Sequence, residues 1–263
     1  MSAFAVGAPC WVDAMLPDVA AGKRFYGELL GWTFEDGGAP GTSYSLALHD
    51  GGYVAALIPK LDGRMPTTWT VYFASDDVFR TAEAIREAGG QIVTGPGRVG
   101  DFGTMVIAAD PSGAVFGVWQ GGTHHGFDKR DEAGAFGWTE LYTREKDAVD
   151  SFYRRVFGYD TEQIGEAGGD FDYEVWTLKR GSEIQYVGGR RQMGPDFPAG
   201  LPAHFTVYFV VDDCDTTVAT VRKLGGKVST EPRDSPHGRW ASVIDDQGAH
   251  FTVIDIATKT GEG

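Results

Sequence analysis

The sequence predicts an α+β fold of two tandem copies, each assembled from two strand–helix–strands modules. Three repeated blocks carry the prediction. "WVDAMLPDVAAGKRFYGELLGW" (11–32) aligns without a gap to "WTELYTREKDAVDSFYRRVFGY" (138–159). "TVYFASDDVFRTAEAIREAGG" (70–90) aligns to "TVYFVVDDCDTTVATVRKLGG" (206–226), and "DPSGAVF" (110–116) to "DDQGAHF" (245–251). The same blocks in the same order mark a duplicated domain. Their offsets of 127, 136 and 135 residues place an insertion within 160–202 of the second copy. Domain one is expected over 1–120 and domain two over 137–263. The glycine- and charge-rich segment 121–136 joins them as an exposed connector.

Within the first copy, "WVDAML" reads as a strand by residue type and period. Asp18 can cap the helix that follows, because its carboxylate can accept the orphan amide protons of the first turn. Phe25, Tyr26, Leu29 and Leu30 form one apolar stripe, and Gly31 stops the helix as a left-handed terminal residue. Strands are expected around 44–49 and 53–58. The pattern then restarts. "TVYFAS" is a strand, and Asp76 or Asp77 caps a helix with the stripe Val78, Ala82, Ile85 and Ala88. Gly89 and Gly90 end it. Strands around 91–94, 104–109 and 115–119 complete the copy.

The net charge of −14 disfavours nucleic acid and anionic membranes as partners. No apolar run is long enough to span a bilayer, and the N-terminus lacks the pattern of a signal peptide, so a cytoplasmic location is expected. Two cysteines, Cys10 and Cys214, are too few for a disulfide framework and read as buried, inert thiols.

A helix carrying D-x6-FY-x4-G, paired with a second module that ends in DPxG, resembles the glyoxalase / bleomycin-resistance / extradiol-dioxygenase superfamily of the vicinal oxygen chelate fold. The resemblance covers nearly the whole chain. More narrowly, the sequence is similar to tandem two-domain actinobacterial glyoxalase-like proteins, loosely called hydroxylases. It implies that each pair of βαβββ modules curls an eight-stranded mixed sheet around a cleft, with helices outside. It also implies that modules pair either within one chain or between chains, so a monomer or a homodimer is expected.

In metal-using members of that family, His, Gln or Glu on the first, fifth and last strands hold a divalent ion. Counting from the helix motifs puts Trp11, Thr70 and Gly117 at these positions in copy one. Trp138, Thr206 and Thr252 hold them in copy two. Indole accepts nothing, glycine has no side chain, and threonine is a poor ligand. No metal and no other cofactor is therefore expected. The adjacent His124 and His125 read as a solvated linker pair, and His49 and His204 as solvated or capping.

Strand alternation gives both clefts one plan. Trp11, Asp13 and Met15 face inward in copy one, and Trp138, Glu140 and Tyr142 in copy two. Thr70 and Tyr72 oppose them in copy one, and Thr206 and Tyr208 in copy two. On the last strand His250 and Thr252 point inward, against Val115 and Gly117. Asp13 and Glu140 occupy equivalent positions. A buried carboxylate must be hydrogen-bonded or neutralised, so each acid either locks the sheet or, with its pKa raised, binds a polar group or acts as a base. The tryptophans and tyrosines are either core filling or an aromatic binding surface. Copy two adds His237 and Arg239, and Arg239 is placed to pair with Glu140 or an anionic group. His250 is a candidate acid or base.

Three functions are consistent with this pattern. The first is a metal-independent protein that binds an aromatic or antibiotic-like small molecule, with an acidic surface suited to a cation. The second is a metal-independent lyase, isomerase or cyclase of secondary metabolism, or a hydroxylase, with Glu140 or Asp13 as general base and Tyr72 or Tyr208 polarising a carbonyl. The third is a metal-dependent glyoxalase or dioxygenase.

Overall fold

A computed structural model describes residues 3–37, 44–169 and 171–260. The first copy runs β1 (Pro9–Leu16), α1 (Val19–Leu30), β2 (Thr33–Gly37), β3 (Tyr44–His49), β4 (Gly52–Pro59), β5 (Thr68–Ala74), α2 (Val78–Glu87), β6 (Gln91–Val99), β7 (Gly103–Ala109) and β8 (Val115–Gly121). The second runs β9 (Phe136–Thr143), α3 (Lys146–Phe157), β10 (Asp160–Gly165), β11 (Asp172–Arg180), β12 (Glu183–Gln192), β13 (His204–Val210), α4 (Cys214–Lys223), β14 (Lys227–Ser235), β15 (Gly238–Ile244) and β16 (His250–Asp255). The strands form two open eight-stranded mixed sheets, ordered β2-β3-β4-β1-β5-β8-β7-β6 and β10-β11-β12-β9-β13-β16-β15-β14. This is the expected α+β duplication, one sheet per copy.

The helix signals act as expected. Asp18 accepts from the Ala21 amide at 3.0 Å, and Gly31 closes α1 at φ 71°. Asp77, rather than Asp76, caps α2. In copy two Gly158 repeats the left-handed stop, but Glu145 makes no side-chain cap. Part of the insertion lies in the hairpin of β11 and β12, which have 9 and 10 residues where β3 and β4 have 6 and 8, and part between β12 and β13. Among the described residues no helix is long and apolar enough to cross a membrane.

By contact density the chain divides into two compact units, and each takes half of each copy. The first comprises residues up to Trp11, Val71–Gly126 and Thr139–Phe205. Its core is an aromatic cluster of Phe73, Phe116, Tyr153, Phe157, Tyr159, Trp176 and Phe205. The Tyr153 hydroxyl, on α3 of copy two, donates to Asp110 Oδ2 of the "DPSG" turn in copy one at 3.2 Å. Asp110 Oδ1 in turn accepts from the Ser112 and Ala114 amides at 2.8 and 3.1 Å. Burial raises the Asp110 carboxyl above its ordinary range, against the hydrogen bonds that favour the anion.

The second unit comprises Val12–Thr70, Phe127–Trp138 and the chain from Thr206 on. It repeats the arrangement with the copies exchanged. Tyr26, on α1 of copy one, donates to Asp245 Oδ2 in the "DDQG" turn of copy two at 3.0 Å and accepts from Trp69 Nε1 at 3.0 Å. Asp245 Oδ1 accepts from the Gln247 and Ala249 amides at 2.9 and 2.8 Å. Burial first, then the neighbouring carboxylate, pushes both Tyr26 and Tyr153 well above the usual phenol range. Their hydroxyls therefore stay protonated and serve as donors. The tyrosine of each "FY" pair is a latch onto the turn of the other copy.

One further buried network lies in the first unit. Arg190, 1% exposed, bonds Asp150 Oδ1 and Oδ2 at 3.1 and 3.0 Å and Asp172 Oδ1 at 2.8 Å, and Lys146 reaches Asp172 Oδ2 at 2.6 Å. Burial works to raise the Asp172 carboxyl, but the bonds from Lys146, Arg190, Gly168 and Gln163 outweigh it and hold it far below the usual carboxylate range.

Two predictions follow from these contacts. Tyr26→Phe and Tyr153→Phe each leave a buried carboxylate short of a donor, so each should cost about 1–3 kcal/mol in urea unfolding. Tyr186→Phe, at an exposed ring, should cost nothing measurable. Because the Asp172 pKa is depressed in the folded state, its stabilisation is present above the unfolded carboxyl value of about 3.9 and is lost as pH falls toward the folded value. Asp172→Asn should therefore be less stable than the parent at pH 7, and its stability should fall less steeply on acidification below about pH 5.

Candidate functional site

In the first unit the face of β9 turned away from α3 gathers an aromatic, polar group of side chains. Thr139, Leu141 and Thr143 are buried toward the helix, so alternation puts Glu140, Tyr142 and Arg144 on the other face, all half-buried. Tyr142 donates to Glu140 Oε2 at 2.8 Å. Its ring stacks on His204 with centroids 5.3 Å apart and 6° between planes, and meets Phe197 at 5.8 Å. Arg144 ties down the loop that carries Phe197 by donating to the Leu201 and Pro198 carbonyls at 2.7 and 2.9 Å.

The neighbouring strands extend this face. Gly189 on β12 is the register partner of Glu140, and Arg191 that of Tyr142. Tyr173 on β11 pairs with Arg191 from the other side. A Cβ at Gly189 would lie 2.1 Å from the Tyr173 hydroxyl, so that hydroxyl rests over the glycine opposite Glu140. The Arg191 guanidinium sits over the Phe171 ring, 4.3 Å from its centroid. A carboxylate, two phenols, an imidazole and an arginine thus share one half-open aromatic face. Apolar surface with a few convergent polar groups is the chemistry of a small-molecule site.

The first-copy face in the same unit is filled instead. Trp11, Tyr72 and Trp119 are 3%, 6% and 8% exposed. Tyr72 and Gly117 are register partners, and a Cβ at Gly117 would lie 2.1 Å from the Tyr72 ring. His124 packs edge-on against Trp11 with centroids 4.5 Å apart, and its carbonyl accepts from Trp119 Nε1 at 3.0 Å. The expectation of a solvated linker pair is corrected for His124. The chain folds back after β8, its Gly122 and His124 amides bonding the Phe102 carbonyl, and the ring is drawn onto two indoles. His125 is exposed as expected.

In the second unit Asp13 is buried, in register with Ala56, and Thr70 is buried on β5. Trp138 and Thr206 are half-buried, and Tyr208 pairs in register with the buried Thr252, whose hydroxyl contacts Ser242 Oγ at 3.1 Å. One expectation changes here. Arg239 does not go to Glu140, because its guanidinium is held by Asp215 at 2.6 and 3.0 Å and Asp234 at 2.8 Å. The Ser242–Thr252 register puts Trp240 and Ser242 on one face and turns Arg239 to the other, toward α4. His250, on the same face as Thr252 by alternation, is exposed at the first residue of β16, as Val115 is at the first residue of β8. Cys10 and Cys214 are buried, and burial raises both thiols, Cys214 to about 11.

Comparison with known proteins agrees with the fold. The family model described as the Glyoxalase/Bleomycin resistance protein/Dioxygenase superfamily matches residues 11–118. "Putative glyoxylase CFP32" of Mycobacterium tuberculosis is 39% identical over 262 residues, 97% of this chain and 97% of that protein. Anthracycline biosynthesis protein DauV of Streptomyces sp. strain C5 is 37% identical over 273 residues, covering 97% and 96%. The Mn(II)-bound glyoxalase of Novosphingobium aromaticivorans superposes with a TM-score of 0.65 at 17% identity, over 98% of this chain and 87% of that one. The chain belongs to the glyoxalase / bleomycin resistance / dioxygenase superfamily.

That family implies a metal on some of its members, and the structure tests whether these residues fit one. They do not. The Gly117 position is covered by the Tyr72 ring, the Thr252 hydroxyl is spent on Ser242, and the Trp11 indole packs on His124. Among the described residues no group of three or more His, Cys, Asp or Glu is placed to hold a metal ion.

The Tyr72–Gly117 contact is open to a direct test. Gly117→Ala should force the ring aside and cost about 1–3 kcal/mol as an overpacked site does. Gly97→Ala, where nothing lies within 4 Å of the new Cβ, should not.

Proposed function

We propose that the chain binds a planar aromatic small molecule on the β9–β11–β12 face of its second copy, without a metal. The observation that carries this is the difference between equivalent positions. Asp13 and Trp11 in copy one are buried, whereas their equivalents Glu140 and Trp138 in copy two are half-buried, Glu140 beside Tyr142 and its stacked His204 and Phe197. Rings that stack on Tyr142 and Phe197 would bury apolar area, and the Glu140–Tyr142 pair would take a hydroxyl or keto group. The relatives named for anthracycline biosynthesis support an aromatic polycyclic ligand. Cytoplasmic location and a monomeric or homodimeric state remain part of this proposal.

A second reading is favoured by the same biosynthetic names together with the Tyr142–Glu140 hydrogen bond. Here the chain is a lyase, isomerase or cyclase. Glu140 removes a proton from carbon next to a ligand carbonyl, and Tyr142 sets the position of the carboxylate.

Titration with 1,8-dihydroxyanthraquinone, followed by tryptophan fluorescence, separates the two. Under the binding reading, Glu140→Gln weakens the complex about tenfold or more, the loss of a hydrogen bond to a charged group. Asp13→Asn, at the buried equivalent, changes it little. Under the catalytic reading, affinity survives in Glu140→Gln while turnover of a polyketide substrate collapses. Stoichiometric metal that survives dialysis and is needed for the titration would refute both.

A further inference from the structure

His204 is the first residue of β13, and its two ring nitrogens are not equivalent. Nδ1 lies 2.9 Å from the Pro202 carbonyl oxygen. A carbonyl only accepts, so Nδ1 carries the hydrogen and donates it. In the neutral ring Nε2 is then a bare lone pair, an acceptor. Among the described residues no hydrogen bond or ion pair reaches Nε2, because the ring is engaged by Pro202 at Nδ1 and by the Tyr142 stack on its face. The loop that supplies the Pro202 carbonyl is held in place. Arg144 donates to its Pro198 and Leu201 carbonyls, the Leu201 amide bonds the Pro198 carbonyl at 2.9 Å, and Gln192 Nε2 donates to the Arg144 carbonyl at 3.1 Å. The tautomer of His204 is therefore set by the fold. Copy one has none of the three side chains that make this arrangement. By the block offsets of 127 and 136, Thr68 stands for His204, Met15 for Tyr142 and Pro17 for Arg144.

We infer that His204 Nε2 is the acceptor that selects, among planar aromatic ligands, those carrying a neutral hydroxyl at the ring edge. This rests on the binding face proposed above. The imidazole and Tyr142 rings lie 6° from parallel. The Nε2 lone pair points out in the imidazole plane, so a donor meets it edge-on, from a ligand ring parallel to Tyr142. That is the attitude of a ring stacked on this face. The Glu140–Tyr142 pair takes one polar group of the ligand, and His204 takes a second, which must be a donor. A keto or ether oxygen at the same place would set lone pair against lone pair and leave Nε2 desolvated without a bond. Binding of such an analogue is weaker for that reason.

The test compares 2-(hydroxymethyl)anthraquinone with 2-(methoxymethyl)anthraquinone, which share a body and a charge and differ in the donor. In fluorescence titrations of the parent protein the hydroxymethyl probe should bind about fivefold more tightly, the worth of one hydrogen bond. His204→Phe keeps a ring against Tyr142 and removes both nitrogens. It should erase the preference and leave the affinity for the methoxymethyl probe within a factor of about three. Long-range proton–nitrogen spectra of the parent read the imidazole directly. They should show a protonated Nδ1 and a bare Nε2 before ligand is added, with the Nε2 resonance moved by the hydroxymethyl probe and not by the methoxymethyl one. A hydrogen on Nε2 in the ligand-free protein, a preference under twofold, or a preference that survives His204→Phe would each overturn the inference while leaving the binding face intact. Failure of both probes to bind would overturn the binding face and this inference with it. The spectra and the comparison of probes on the parent need no variant, so they hold even if the substitution disturbs folding.

Discussion

A buried tyrosine hydroxyl donating to the aspartate of a tight turn is the interaction on which the rest of the chain depends, and it occurs twice. Tyr153 reaches Asp110, and Tyr26 reaches Asp245. In each case one aspartate oxygen organises the turn through backbone amides, and the other accepts the phenol of a helix from the other copy. Neither group tolerates loss of its partner, because an unsatisfied buried carboxylate costs more than the bond itself contributes. The duplication is therefore more than two domains on a string. Each compact unit is completed by a half from each copy, and the repeated "FY" and "D-x-x-G" motifs are the two sides of that exchange.

With both copies held by the same latch, their sheet faces have been free to diverge. Copy one closes its face with its own rings: Tyr72 covers Gly117, and His124 returns from the linker onto Trp11 and Trp119. Copy two keeps Tyr142, Glu140 and Arg191 half-open and adds Tyr173 and Phe171 from a lengthened hairpin. Both indole and phenol are large, stiff side chains that contact a planar ligand at low entropic cost. One set has become packing, and the other remains available as surface.

Most of the fold was legible in the sequence, because repeated blocks and caps are local signals. The Asp18 and Asp77 caps, the Gly31 stop and the strands at 44–49, 104–109 and 115–119 all fall where residue types place them. The edge strand β2 was not, since its Thr33–Gly37 run is mostly exposed and shows no apolar alternation. The site was legible only in part. Glu140 and Tyr142 follow from alternation on one strand. Tyr173 and Arg191 depend on the register of a lengthened hairpin, which the shorter first copy does not reveal. His124 depends on a backbone reversal stabilised far from its own residues, and Arg239 on the pairing of Ser242 with Thr252. Pairing register is set by long-range contacts, so a single sequence gives the faces of each strand but not which strands they meet.

The central claim is that an aromatic ligand occupies the second copy's face and leaves the first copy's filled face alone. The imidazole resonances of the six histidines, assigned by single substitutions and followed during titration with anthraquinone-2-carboxylate, address it directly. The account predicts a ring-current shift confined to His204, which stacks on Tyr142, with His124 unmoved against its two indoles. A shift at His124 with His204 silent would contradict it.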